Sequence, residues 1–341
     1  MKGRLLLIEP LPAGGHAALL MVDGRVEDFL TDAGTTPGMP RPEAIFRAIP
    51  SRPAKGLGGA MVDLGQGRSG FLRSKQPPVP GRPVFVQVSG WTEPGKAPPV
   101  VDRLRLKGHT AVLTPGAPGV NLSRSLRDPE QRDTLLAVAE DAMAGADPAL
   151  GLILRTAAGA ADPDTVSTEI RALRTSLDQL APSGAPGLVL DGPGARAEAL
   201  RDWRQPGTHV EDGPDAISAA GGWDALEAAR APRVPAGAGF LIVEATAALV
   251  AIDVNTGGDL SPAAALKTNI AAAREIPRQL RLRGLGGQVT IDFAPLAKTD
   301  RRQVEAALTG ALRADGIETS LAGWTPLGHL ELLRRRSRRP C

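Results

Sequence analysis

Apolar positions along this chain follow two periods, and the switch between them marks out the elements. Leu5–Glu9, Ala17–Val22 and Arg25–Leu30 run or alternate apolar, and Asp23-Gly24 supplies a two-residue hairpin turn. A Pro-rich stretch around residues 37–53 is expected to separate this ribbon from a second strand-rich piece. There, Ala60–Leu64, Gly70–Leu72, Val84–Val88 and Arg103–Lys107 are bounded by Gly and Pro, as in a small β-barrel. From about residue 108 the period lengthens. Pro129–Ala144 reads as a helix with Asp128 as N-cap and Pro129 in the first helical position. Gly151–Leu154 reads as a strand ending in Arg155-Thr156, and Asp162-Pro163 starts a second helix that runs to about Leu180. Residues 183–236 are mostly Gly, Pro, Ala and charge, with one short strand at Gly187–Leu190, and read as a loop-rich connector. The last third is cleaner. Gly239–Glu244 and Ala248–Val254 form a hairpin, residues 261–283 a helix that Pro277 should kink, and Gln288–Phe293 a strand. Arg301–Ala314 follows as a helix and Glu318–Ala322 as a strand, so the order implies a sheet covered by helices.

Composition narrows the class. With 341 residues, 42% of them hydrophobic, the chain has room for two or three compact domains. The formal charge is only +3, but Arg dominates, with seven Lys among the 40 basic residues. Guanidinium binds phosphate through paired hydrogen bonds and suits a phosphate polymer; a GC-rich genome explains the same bias. Cys341 is the single cysteine, so no disulfide forms within the chain and a reducing compartment is expected. Leu5–Ile8 is too short for a signal peptide, and nowhere do 18 apolar residues run together. These features point to a soluble, cytoplasmic protein without a membrane span.

Two aspartates interrupt apolar strands. Asp253 lies in Ala-Leu-Val-Ala-Ile-Asp-Val-Asn and Asp292 in Val-Thr-Ile-Asp-Phe. A carboxylate among buried apolar side chains is costly unless it is paired, hydrogen-bonded or bound to a metal. Both stand near the C-terminal ends of their strands, and the intervening helix can bring those ends side by side. Magnesium takes hard oxygen ligands, often one or two carboxylates with water and substrate phosphate. Asn255, two residues after Asp253, projects from the same strand face. The competing role is structural, with each Asp capping a helix or pairing with an Arg.

The residues around these aspartates resemble the catalytic region of the ribonuclease E/G family. The resemblance is carried by Ala-Leu-Val-Ala-Ile-Asp-Val-Asn-Thr (248–256), Leu-Lys-Thr-Asn (266–269), Glu-Ile-Pro-Arg-Gln-Leu-Arg-Leu-Arg-Gly-Leu-Gly-Gly (275–287) and Ile-Asp-Phe (291–293). Residues 233–246 extend it upstream. It implies that Asp253 and Asp292 hold magnesium, or manganese in its place, with Asn255 supporting the geometry. It also implies an endoribonuclease acting on single-stranded RNA in RNA processing or decay, leaving 5′-phosphate and 3′-hydroxyl ends. Met61-Val-Asp-Leu-Gly and Ser69-Gly-Phe-Leu resemble the family's OB-type RNA-binding insert, where Phe71 offers a stacking face and Lys96 a basic contact. Without the family, Phe71 is a barrel core residue and Lys96 a solvated loop charge. Gly151-Leu-Ile-Leu-Arg-Thr-Ala resembles the sensor for a 5′-monophosphate. Arg155 and Thr156 would hold the phosphate, Val112 would pack beside the terminal nucleotide, and Arg124 is a further phosphate candidate. Taken alone, Arg155 is a solvated charge at a strand end. Arg334 and Arg336, in the run Arg334-Arg-Arg-Ser-Arg-Arg, match RNA-binding positions; by itself the run is a flexible basic tail.

The fold implied is a multidomain α/β (α+β) arrangement. Residues 1–45 are the N-terminal strands of a ribonuclease-H-like domain, 46–107 a reduced OB-type insert and 108–182 the 5′-sensor module. Residues 183–236 are a reduced ribonuclease-H-like connector, and 237–341 a deoxyribonuclease-I-like catalytic domain. Three departures from the family stand out: a shorter loop after Asn255, an abbreviated insert and connector, and one Cys where the family has a Cys-x-x-Cys zinc pair. No structural zinc is therefore expected, and the chain is expected as a monomer or dimer rather than a zinc-linked assembly. A non-cleaving RNA-binding or ribosome-associated factor is the alternative function, and a DNA-directed nuclease a third. His16, His109, His209 and His329 look scattered and offer no His-based mechanism.

Overall fold

The computed structural model describes residues 3–35, 39–54, 56, 58–76, 78–93, 95–180 and 184–339; Cys341 lies outside them. The chain divides into two compact units, one of residues 1–33 and 209–341, the other of residues 34–208. Among the described residues no helix is long and apolar enough to cross a membrane.

In the first unit, Arg4–Pro10, His16–Val22 and Arg25–Thr31 form an antiparallel ribbon. Asp23 and Gly24 both take positive φ, as the two-residue turn requires. Thr208–Asp212 adds to the far edge of this sheet. The Glu9 carboxylate accepts hydrogen bonds from the backbone of Ile217 and Ser218 and from the Trp223 indole, which ties the short helices to the ribbon. The second sheet of this unit has six strands in the order Arg233–Ala236, Gly239–Ala245, Val250–Asn255, Gly287–Asp292, Leu330–Arg334 and Thr319–Trp324. Among the described residues its only parallel pair is Val250–Asn255 with Gly287–Asp292, joined by the helix Pro262–Leu282. Ala272, Ala273, Ile276 and Leu280 of that helix and Val304 and Leu308 of Arg301–Asp315 close the core against Ile252, Val289 and Ile291.

In the second unit, Ile45–Ala54, Gly59–Gly65, Arg68–Arg73, Pro99–Val101 and Val84–Val88 form a closed five-stranded barrel, with Ile45–Ala54 pairing to Val84–Val88 across the closure. A four-stranded sheet built on Ala111–Pro115 and Leu150–Leu154 packs against the helices Pro129–Met143 and Pro163–Asp178. Asp128 and Asp162 cap these helices through their side chains, as expected from the Asp-Pro pairs.

Several expectations give way. The Pro-rich stretch contains a ten-residue strand, because Ile45, Phe46 and Ala48 are buried and Pro50 and Pro53 sit at a register shift where no ladder donor is needed. Of Arg103–Lys107 only Leu106–Lys107 is strand, and the barrel uses Pro99–Val101 instead. The Gln87 amide bridges the Arg105 N–H and C=O, taking the place of a strand partner. The stretch 183–236 carries helices at Ala195–Asp202, Ala216–Ala219 and Gly222–Ala229 and strands at Thr208–Asp212 and Arg233–Ala236. Its close contacts rest on small residues; a Cβ at Gly222 would lie 2.8 Å from both Ile217 and Leu19. The long helix passes through Pro277 without a break.

Candidate active site at the strand ends

In the parallel register Asp253 lies directly opposite Asp292. Neighbouring strands stand about 4.8 Å apart, so the two carboxylates rise side by side from one sheet edge. The strand alternates strictly: Val250, Ile252 and Val254 face the core, while Asp253 and Asn255 face outward. Asp292 likewise points away from buried Ile291, and its side chain is 61% exposed. The carboxylates thus stand on the open face, not amid the apolar side chains as the bare sequence suggested. Their mutual repulsion, rather than desolvation, is what a cation would relieve. Asn255 donates from Nδ2 to Asp253 Oδ2 at 2.8 Å, leaving its own carbonyl oxygen as a further hard donor.

Neighbouring residues hold these strand ends in place. Asn269, fully buried, accepts from the Ala294 N–H and donates to the Ala294 C=O, both at 3.0 Å, and so clamps the backbone two residues past Asp292. Gly239 packs so tightly that an added Cβ would lie 2.1 Å from the Asn255 carbonyl. Both residues belong to stretches quoted above, and their physical role emerges only in three dimensions. His329, set aside in the sequence as scattered, comes close to the site: its Nδ1 lies 3.3 Å from Asp292 Oδ1. It precedes the unforeseen strand Leu330–Arg334, and without that strand it had no place in the sequence pattern. Among the described residues no group of three or more His, Cys, Asp or Glu forms a metal cluster. Two carboxylates with an adjacent amide still fit magnesium, which retains several waters.

The arginines of 275–287 and of the C-terminal run differ in burial and pairing. Arg278 donates to Glu275 and to the Val26 carbonyl at 2.6 Å each, and Arg281 bridges Glu27 and Asp315. Arg334, expected as an RNA contact, is 2% exposed and pairs with Asp315 at 2.7 Å. The cause is strand alternation, since Leu330, Leu332 and Arg334 all face inward. Burial pushes the Arg334 pKa down, with Asp315 opposing the shift. Arg336 lies beyond the strand, half-buried, and its guanidinium covers Gly287, where φ is +90° and a Cβ would clash at 2.5 Å.

The second unit holds the other expected residues. Arg155 ends the strand Leu150–Leu154, donating from Nη1 to the Gly108 carbonyl and from Nη2 to Asp202, both at 2.7 Å. The Thr156 and Ser123 hydroxyls meet at 2.8 Å. With His109, Arg204 and Gln131 these residues line a cavity of about 720 Å³. Val112 is half-buried opposite Ile153, which also lines the cavity, and Arg124 is exposed beside Ser123. Arg201 forms a bidentate pair with Glu43 and a further pair with Asp202. Burial would raise the Asp202 pKa, but the hydrogen bond and charge of Arg201, aided by Arg155, bring it below the usual value. Glu43 is lowered in the same way by Arg201 and Lys107 against burial. Phe71 is half-buried on a barrel strand opposite Met61, and Lys96 is exposed and paired with Glu93.

Sequence comparison places this geometry among known proteins. The model of the ribonuclease E/G family matches residues 105–212 and 208–337. Ribonuclease E of Nostoc sp. is 30% identical over 352 residues, covering 86% of this chain and 51% of the relative. Ribonuclease E of Haemophilus influenzae is 28% identical over 88% of this chain and 38% of its own length. Ribonuclease G of Salmonella typhimurium is 42% identical over 105 residues, 29% of this chain and 22% of its own. The chain spans about half, or less, of the length of these curated relatives.

Proposed function

From a chain that belongs to the ribonuclease E/G family, we propose an endoribonuclease that cleaves single-stranded RNA at the Asp253–Asp292 strand ends. The observation that carries this reading is the parallel register that sets the two carboxylates side by side on an open face. Asp253 and Asp292 would hold a magnesium ion, with Asn255 orienting Asp253. When bound, the ion supplies Lewis-acid stabilisation of charge on the phosphate and lowers the pKa of an attacking water. The carboxylates fix its place, and the buried Asn269 clamp keeps the Asp292 end rigid. Cleavage on this route leaves a 5′-phosphate and a 3′-hydroxyl. Arg336 is the favoured backbone contact from the C-terminal run, because Arg334 is committed to Asp315.

The cavity around Arg155 and Thr156 suits a 5′-monophosphate, which offers acceptors to the guanidinium and the hydroxyls. Phosphate entry there competes with Asp202 for the Arg155 guanidinium. Phe71 and Lys96 offer a stacking face and a basic contact to single-stranded RNA on the barrel.

The test is incubation of a short 5′-monophosphorylated RNA with magnesium, using wild type, Asp253→Asn and Asp292→Asn. Cutting by wild type alone supports the site; equal cutting by all three ends it. Comparing 5′-monophosphate with 5′-hydroxyl RNA tests Arg155 separately, and equal rates would remove its role.

A further inference from the structure

The register that opposes Asp253 to Asp292 continues on the other side of Asp292. Ile291 pairs with Leu330 in the antiparallel direction, which brings His329 to the side of Asp292. Its Nδ1 lies 3.3 Å from Asp292 Oδ1, is shielded from solvent and makes no hydrogen bond in this arrangement. A buried ring nitrogen without a partner is costly, and the Asp292 carboxylate is the acceptor within reach. The backbone that carries the ring is held in place. Its loop is fixed where the Thr325 N–H donates to the His329 carbonyl at 2.8 Å and the His329 N–H donates to Thr325 Oγ1 at 3.1 Å. The Gly328 N–H also donates to the Thr325 carbonyl at 3.0 Å.

We propose that His329 is a positioning residue that donates from Nδ1 to Asp292 Oδ1 and so directs the other carboxylate oxygen to the metal. This rests on the metal reading of Asp253 and Asp292 given above. A carboxylate held at one oxygen loses rotational freedom before the ion arrives, and partners of liganding groups typically govern metal affinity in this way. Asn255 plays the equivalent part for Asp253, donating to its Oδ2. Each ligand then has one polar residue that orients it, from its own strand in one case and from the neighbouring strand's start in the other.

The experiment measures Mn²⁺ binding to the full chain by electron paramagnetic resonance, without RNA, for wild type, His329→Leu, His329→Asn and Asp253→Asn. Leucine removes the donor, whereas the asparagine amide can place an N–H where Nδ1 stands. His329→Leu is expected to weaken Mn²⁺ binding by about 10–100-fold, with His329→Asn recovering most of the loss. Metal-free melting curves of the variants check that the fold is kept, and His329→Asn keeps a polar residue in the loop for that purpose. Wild-type affinity in His329→Leu, or no recovery in His329→Asn, would overturn the positioning role while leaving the metal site standing. Wild type binding no better than Asp253→Asn would instead sink the metal site, and the role of His329 with it.

Discussion

The strand ends around Asp253 and the cavity around Arg155 gather similar residues and use them in opposite ways. At the strand ends the charges face outward with one polar neighbour each: Asn255 for Asp253 and His329 for Asp292. Around the cavity the charges are turned on one another, with Arg201 holding both Glu43 and Asp202, and Asp202 holding Arg155. The first arrangement reserves its electrostatic potential for a ligand. The second commits most of it to the scaffold, so on the proposed reading a phosphate would have to displace Asp202 from Arg155. Substitutions in the two regions should therefore register in different assays.

The largest effect is expected in the cavity and should appear as lost stability. Arg201→Ala leaves Glu43 and Asp202 without their main partner, at a cost of about 3–5 kcal/mol, read from denaturant unfolding. A loss below about 0.5 kcal/mol, the range of ordinary surface changes, would mean that the cluster is decorative. Asp253→Asn should do the reverse. Cleavage should fall about 10²–10³-fold, while stability stays within about 0.5 kcal/mol because the side chain is exposed. An unfolding midpoint that fell along with the rate would erase the contrast. Asn269→Ala lies between the two, leaving the Ala294 N–H and C=O without partners at about 1–3 kcal/mol each at most. It should weaken both folding and cleavage, and unaltered cleavage would separate the clamp from the site.

The smallest effect concerns acid. Glu43 and Asp202 have lowered pKa values in the folded chain, so their stabilisation is fully present above the ordinary carboxylate range near pH 4. It is lost as pH falls through their depressed folded values. In Glu43→Gln the acid-induced loss of stability should be shallower below the ordinary carboxylate range, near pH 4, than in wild type. Parallel curves would show that the pair is not linked to folding.

How much was legible in the sequence depended on whether a residue's neighbours carried a clear period. Asp253 and Asn255 sit two apart in an alternating strand, so their common face followed from geometry alone. The helix starts at Pro129 and Pro163 were readable because Asp-Pro carries its own cap chemistry. Arg334 was misjudged because charge was read before period. The strand Leu330–Arg334 turns its even positions inward, and Asp315 waits for the guanidinium there. His329 was missed for the same reason, since only that strand brings it beside Asp292. In 183–236, Ala and Gly replace the large apolar residues that make helical periodicity visible, and Ala195–Asp202 and Gly222–Ala229 went unread. In 45–54 the prolines hid a strand whose buried residues, Ile45, Phe46 and Ala48, alternate poorly around them. Asn269 could be found as part of a motif, but its clamp on Ala294 joins residues 25 apart and has no local signal.

The segment between Asn255 and Pro262 is anchored at both margins. Asn255 is fixed by its pairing with Phe240, and Ser261 caps the following helix by accepting from the Ala264 N–H at 3.2 Å. Inside it, Asp259 accepts from the Ser261 N–H at 2.8 Å and turns the chain into that cap. Closing a tether between two such anchors depends only logarithmically on how many residues it contains, about 0.6 kcal/mol for each doubling. Residues can therefore be removed from or added to this span at small conformational cost while Asp253, held in its strand ahead of it, keeps its position.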